Sequence, residues 1–292
     1  MKILVFDIGG TSIKYGICVD DVLQNVQETP TNAKLGGRHI MDTLISLIKE
    51  QSDYDAIGIS TAGQVNSKEG YIIYANQNIP NYTGTQIRKE LEDMFHVPVT
   101  IENDVNAAAM GEAIYGAGKD YSQFLMLTYG TGVGGATVTN KEVYYGSSYS
   151  ASEFGAIITH SDARLAGSDY FDGCYEKYAS TTGLVKMAME YDSTLDSGRK
   201  IFENLNDPKI MDILDKWVDE IMLGLATLTH IYNPPCIILG GGIMVQPFIM
   251  KKIAEKKERF IMPSFAHVNL IPAALGNSAG LLGANYLAAK KL

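Results

Sequence analysis

The chain is poor in cysteine, in positive charge and in uninterrupted apolar sequence. Its three cysteines, Cys18, Cys174 and Cys236, are odd in number and far apart. That argues against a disulfide framework and for a reducing compartment. Lysine and arginine total 24 against 33 aspartates and glutamates, a net charge of −9. Nucleic acid is therefore not an expected partner, because its binding needs basic surface to release counterions. No run of about 18 apolar residues is available to span a membrane, so no membrane partner is expected either. Only the short run Ile3-Leu4-Val5-Phe6 precedes Asp7, too little for a signal peptide. The expected location is cytoplasmic. Also missing are a G-x-x-x-x-G-K-[ST] phosphate loop and the H-R-D and D-F-G segments of protein kinases. The five histidines follow no metal-ligand spacing.

What is present is 292 residues with 46% apolar content, enough for two domains or one large α/β domain. The most informative stretch is Asp7-Ile8-Gly9-Gly10-Thr11-Ser12-Ile13-Lys14. An apolar run precedes it and the alternation Ile13, Tyr15, Ile17, Val19 follows it. The order reads strand, tight glycine turn, strand. Bare backbone N–H groups at the glycines can donate to phosphate, and a carboxylate at the strand end can hold Mg²⁺ directly or through water. A plain hairpin turn would use the same glycines.

Farther on, apolar and helical segments alternate, as expected for a mixed, mainly buried sheet. Ile40, Leu44, Leu47 and Ile48 recur at helical spacing, Ala56–Ser60 reads as a buried strand, and Tyr71–Tyr74 as another. Thr83 or Thr85 is placed to cap a helix with the apolar face Ile87, Leu91, Met94 and Phe95. Phe124–Thr128 then repeats the opening grammar: an apolar strand, the turn Gly130-Thr131-Gly132-Val133-Gly134-Gly135, and a return strand. The turn matches G-x-G-x-x-G, but a dinucleotide fold would need a helix next, and here a β-branched strand follows. Two such units suggest two similarly built halves. A single helix is expected from Tyr175 to Tyr191, a long one carries Trp217 on its apolar stripe, and the lysines of 251–257 read as a solvated helix face.

Two further segments carry polar chemistry. Glu102-Asn103-Asp104-Val105-Asn106 lies where a strand meets a helix. One residue there would serve as an N-cap, but a cap needs only one. A carboxylate at a helix N-terminus can also accept a proton from a substrate hydroxyl. Gly240-Gly241-Gly242 follows the strand Cys236–Leu239 and reads either as a close-approach loop or as a simple connection.

With these four segments in this order, the whole chain resembles the ROK family of sugar kinases. The resemblance implies an α/β protein with the actin-like, ribonuclease H-like two-domain ATPase fold, ATP and Mg²⁺ as cofactors, and a small-molecule sugar as substrate. It implies that Asp7, Gly9, Gly10, Thr11 and Lys14 form the first phosphate loop, with Asp7 at the Mg²⁺. Thr128, Gly130, Thr131 and Gly132 would form the second, and Gly240, Gly241 and Gly242 would flank the adenosine. Asn103 and Asp104 match the family's sugar-binding Asn and catalytic Asp. Gly63, Asn76, Glu153 and Glu176 match further sugar contacts. The division expected is 1–104, completed by a C-terminal helix over 277–292, and 105–276. The family is often dimeric, which allows a homodimer here.

The chain departs from the family pattern around the zinc site. The usual His after Glu153-Phe154-Gly155 is Ala156, and of C-x-C-G-x-x-G-C-x-E only Gly173, Cys174 and Glu176 remain. No structural zinc is therefore expected. Zinc-free members include N-acetylmannosamine and β-glucoside kinases, and the segments Ser60–Val65 and Ile79–Tyr82 look most like the former. The expected activity is phosphorylation of the 6-hydroxyl of a hexose or hexose derivative, of the N-acetylmannosamine or glucose type, with a β-glucoside or disaccharide as the alternative. A non-catalytic sugar-binding regulator is the alternative of another class. A DNA-binding repressor would need an N-terminal helix-turn-helix, for which the strand starting at Lys2 leaves no room.

Overall fold

A computed structural model describes all residues, Met1–Leu292. The elements in order are β1 (Lys2–Ile8), β2 (Ser12–Val19), β3 (Val22–Pro30), α1 (Gly37–Lys49), β4 (Ala56–Thr61), β5 (Gln64–Asn66), β6 (Tyr71–Tyr74), α2 (Ile87–Phe95), β7 (Val99–Asn103) and α3 (Asp104–Tyr115). They continue as β8 (Gln123–Tyr129), β9 (Val133–Thr139), β10 (Glu142–Val143), α4 (Tyr175–Ala179), α5 (Thr181–Tyr191), α6 (Gly198–Glu203), α7 (Pro208–Tyr232), β11 (Cys236–Gly240), α8 (Pro247–Phe260), β12 (Asn269–Pro272) and α9 (Ala279–Ala289). The chain divides into two units: Met1–Asp120 with Val138–Ala151 and Asn277–Leu292, and Tyr121–Thr137 with Ser152–Gly276.

The first unit is built on a sheet ordered β3-β2-β1-β4-β7. β1 runs antiparallel to β2 and parallel to β4, and β4 runs parallel to β7. The parallel strands are buried on both faces, which is why their sequence is continuously apolar rather than alternating. The C-terminal helix α9 returns to this unit and packs on α3. Their backbones approach so closely that a Cβ on Gly283 would lie 1.7 Å from the Ala107 carbonyl oxygen, and one on Gly111 would lie 2.4 Å from that of Ala279. This packing places α3 in the first unit, whereas the sequence reading gave all but its first residue to the second.

The second unit repeats the strand grammar, with β9-β8-β11-β12 as consecutive sheet neighbours and a core around the fully buried Trp217 of α7. Three local expectations differ from the structure. Neither Thr83 nor Thr85 caps α2: their hydroxyls donate to the carbonyls of Ala75 and Tyr82, and the N-cap position is Gln86. The helix expected over 175–191 breaks at Ser180, whose hydroxyl accepts from Gly183 N–H at 3.1 Å and starts α5. Lys256 is not solvated, because it pairs with Asp215 and Asp219 at 2.7 Å each and only 11% of its side chain is exposed.

Candidate active site

In the first unit the site begins with Asp7, near the end of β1. In the sheet register Asp7 faces Lys14 on β2 and Ser60 on β4. The Ser60 hydroxyl donates to Asp7 Oδ1 at 2.6 Å. Burial pushes the Asp7 carboxyl up, while that hydrogen bond and the Lys14 charge pull it down. The hairpin beyond is held by its own backbone: Gly9 N–H donates to the Ser12 carbonyl at 3.0 Å, and the Thr31 hydroxyl to the Gly9 carbonyl at 2.7 Å. A Cβ at Gly10 would meet nothing within 4 Å, so the turn's tip borders open space. Thr11 and Lys14 belong to the same hairpin, where the Thr11 carbonyl accepts from Thr31 N–H at 3.0 Å.

Asp104 opens α3. Its neighbour Asn103 is the N-cap, with Oδ1 accepting from the N–H groups of Val105 and Asn106 at 3.0 and 3.1 Å. Asn103 Nδ2 donates both to the Gly63 carbonyl and to Asp104 Oδ1, each at 2.9 Å. The cap reading holds for Asn103, and the same side chain also orients the next residue. Burial pushes the Asp104 carboxyl up to about 7, and the Asp7 charge adds to the rise. A carboxyl raised in this way beside a second carboxylate is a place for a cation or a transferable proton. Glu102, 2% exposed, accepts from Asn103 N–H, Asn106 Nδ2 and the Tyr145 hydroxyl.

Gly63 is required by its conformation (φ +97°), since a Cβ there would also lie 3.0 Å from the Tyr74 carbonyl. Asn76 lies in an exposed loop, its Oδ1 taken by Asn78 N–H at 3.0 Å. No hydrogen bond joins it to Asp104 or Asn103.

In the second unit, Gly130 N–H donates to the Gly132 carbonyl, and the Gly130 carbonyl accepts from Thr181 N–H, both at 3.0 Å. Thr128 of β8 is the register partner of Gly240 on β11. Gly241 follows with φ +101°, and a Cβ there would lie 2.2 Å from the Tyr129 carbonyl, so this loop packs backbone against backbone. Thr131, Gly130 and Gly242 line a cavity of about 730 Å³. Its other walls include Thr181 of α5, Arg199 and Phe202 of α6, and Gln246. Those four were not anticipated. For Arg199 and Phe202 the only sequence signal is Ser197 before a helix of six residues, too short for hydrophobic periodicity to show.

Glu176 of α4 accepts from Val133 N–H at 3.5 Å. Burial pushes its carboxyl up, and the Glu153 charge contributes, so these two expected sugar contacts lie within electrostatic reach of one another. The side chain of Cys174 donates instead to the carbonyls of Ala156 and Tyr170, both at 3.4 Å. No group of three or more His, Cys, Asp or Glu side chains is arranged to hold a metal ion. No helix is long and apolar enough to cross a membrane.

Ser60 and Gly280 are the residues of the first-unit site that the sequence did not single out. A Cβ on Gly280 would lie 2.8 Å from Asp7 Oδ1 and 3.0 Å from the Ser60 hydroxyl oxygen, so α9 closes over this pair. Replacing Ser60 by Ala is expected to lower kcat/KM for ATP by roughly tenfold, the usual worth of a hydrogen bond to a charged group. Steady-state kinetics at varied ATP and Mg²⁺ measures this.

Each unit has a sheet strand that ends in a glycine turn, and in the first unit a carboxylate opens a helix, an arrangement suited to phosphate contact and proton acceptance. The ROK family profile matches residues 3–291. A β-glucoside kinase of Listeria monocytogenes is 30% identical, covering 98% of this chain and 97% of its own. Among solved structures, a candidate N-acetylmannosamine kinase of Listeria monocytogenes superposes with TM-score 0.90 at 29% identity, covering 100% of this chain and 99% of its own. A ROK family glucokinase of Streptomyces griseus, in complex with glucose and AMPPNP, superposes with TM-score 0.85 at 29% identity over 99% and 100%. The chain belongs to the ROK family, as an ATP-dependent carbohydrate kinase with the actin-like ATPase fold.

Proposed function

We propose that this kinase transfers the γ-phosphoryl group of ATP to the 6-hydroxyl of a hexose or hexose derivative, with Asp104 as the general base. The observation that carries the reading is Asp104 itself. It is raised to about 7 by burial and by Asp7, and it is aimed by Asn103 from a helix N-terminus. A base with that proton affinity is half ionised near neutrality and well matched to a sugar hydroxyl. Asn103 and Val105 both donate to Asp104 Oδ1, and Oδ2 is the oxygen assigned to accept the proton.

In the first unit, Asp7, Gly9, Gly10, Thr11 and Lys14 engage phosphate. The Asp7 charge is felt at Asp104, and such a neighbourhood suits a divalent cation, which Asp7 would hold directly or through water. When bound there, Mg²⁺ would neutralise phosphate charge, while the chain's own groups supply position and proton acceptance. In the second unit, Thr128, Gly130, Thr131 and Gly132 take the phosphates, and Gly240, Gly241 and Gly242 border the nucleoside. Gly63, Asn76, Asn103, Glu153 and Glu176 hold the sugar.

The relatives' names support N-acetylmannosamine or a glucose-type sugar, and the β-glucoside kinase relative supports a glucoside or disaccharide as the second reading. A coupled ADP-release assay over glucose, N-acetylmannosamine, mannose, fructose and cellobiose decides between them, with the phosphate position read by NMR. Turnover of one sugar at its 6-hydroxyl is the expected outcome. No ADP release with any sugar would return the reading to a non-catalytic sugar-binding protein.

A further inference from the structure

The first unit contains a second cavity, of about 330 Å³, on the side of β7 that carries Thr100 and Glu102. We propose that this cavity is a separate binding site for a small anion with an aromatic or apolar body, and that its occupancy changes turnover. The volume lies within the range of small-ligand sites.

Several observations converge here. Thr100 lines the cavity, is 6% exposed, and its Oγ1 has no hydrogen-bond partner. A buried hydroxyl left unpaired is unfavourable, and valine would fill the same space without that penalty. Tyr149, also on the wall, has φ +59°, a left-handed backbone that bulky residues rarely adopt and that gathers at functional sites. Its ring lies 5.4 Å from that of Tyr145 at 48°, giving the cavity an aromatic wall, and Leu287 adds apolar lining.

The charge at the rim is positive. Lys68 and Lys291 both border the cavity and neither forms an ion pair. Burial pushes the Lys291 ammonium down, and the Arg88 charge adds to this while Glu92 offsets part of it. Arg88 is fixed nearby by donating to the carbonyls of Ser67 and Val99. The carboxylate on the wall, Glu102, is already engaged by donors at both oxygens. An anion is therefore the charge complement of the rim, and an apolar body that of the interior.

The cavity also touches the catalytic segment. Tyr145 donates to Glu102 Oε2 at 2.7 Å, and Glu102 Oε1 accepts from Asn103 N–H at 2.8 Å. A ligand that moves Tyr145 acts through Glu102 on the residue that orients Asp104. That effect on turnover rests on Asp104 being the base; the binding does not.

Calorimetry on the full chain, with AMPPNP and Mg²⁺ in excess to block the nucleotide site, tests the binding with phenyl phosphate and benzoate as probes and phenol as the neutral control. One equivalent of phenyl phosphate or benzoate is expected to bind, with phenol at least about tenfold weaker. Which anion binds tighter tells a phosphate ligand from a carboxylate one. Lys291→Ala is expected to weaken binding about fivefold or more, and Thr100→Leu, which fills the cavity, to remove it. Thr100→Val is the control for folding: it should raise the melting temperature of the ligand-free protein while weakening the probe. Absence of binding with the nucleotide site blocked, or binding unchanged in Thr100→Leu and Lys291→Ala, overturns the site. Binding with kcat unaltered at saturating probe overturns the coupling alone.

Discussion

Asp104→Asn is expected to lower kcat by about 10²–10⁴-fold, the range for loss of a positioned general base. The KM for ATP should change little, because the Asn amide keeps the oxygen that accepts from Asn103 and Val105. The wild-type kcat/KM for the sugar should fall as pH drops through about 7, since the base must be ionised in the free enzyme. The same variant should be more stable than the wild type at alkaline pH. A carboxyl raised above its unfolded value binds its proton more tightly in the folded state. The stability it contributes is therefore greatest below the unfolded value near 3.8, and is lost as pH rises towards 7. Asn carries no charge to bury, so its melting temperature should exceed that of the wild type at pH 8 and lose this advantage near pH 4. Near-normal kcat in Asp104→Asn would refute the base assignment, and a stability difference independent of pH would refute the account of burial.

Gly283→Val carries the largest expected effect on stability. A Cβ at that position would lie 1.7 Å from the Ala107 carbonyl oxygen, which is backbone and cannot rotate away. Helix α9 must then lift from α3, opening the contact that Gly111 makes with Ala279 and the one that Gly280 makes with Asp7 and Ser60. Overpacking of this kind costs about 1–3 kcal/mol or more, which for a chain of this size lowers the melting temperature by roughly 6–12 °C at the upper end. Because Gly280 abuts Asp7, kcat should fall as well, even at temperatures where the variant is folded. A parallel measurement on Leu282→Ala, in the same helix, separates the two effects. Leu282 is only partly buried, so its truncation should lower stability modestly and leave kcat intact. Full activity in folded Gly283→Val would show that α9 does not hold the Asp7 site.

How much was legible beforehand differs by residue. Asp7, Gly9 and Gly10 announced themselves because a glycine turn between apolar strands is a local pattern, and the same grammar returned at Gly130. The polar run Glu102–Asn106 was legible as a helix start with more side chains than a cap requires, and in the structure Asn103 both caps the helix and donates to Asp104. Thr83 and Thr85 misled because a cap is chosen by backbone geometry at the first turn, and here both hydroxyls found nearer carbonyls. Ser180 was missed inside an apparently continuous helix for the same reason, its capping bond being invisible until the chain turns.

Sequence alone determined the strand-turn-strand units, the α/β class, the family and the residue types at the hairpins and at the start of α3, because each depends on neighbours within a few positions. The tertiary structure decided what those residues face. Only the parallel register of β1 with β4 sets Ser60 against Asp7, across 53 residues of chain, and only the close packing of α9 brings Gly280 over the pair. The proton affinity of Asp104 likewise arises from burial and from a charge near the end of another strand, which no periodicity records. Local pattern encodes local geometry, while electrostatics and close packing depend on distances that the register of distant strands alone creates.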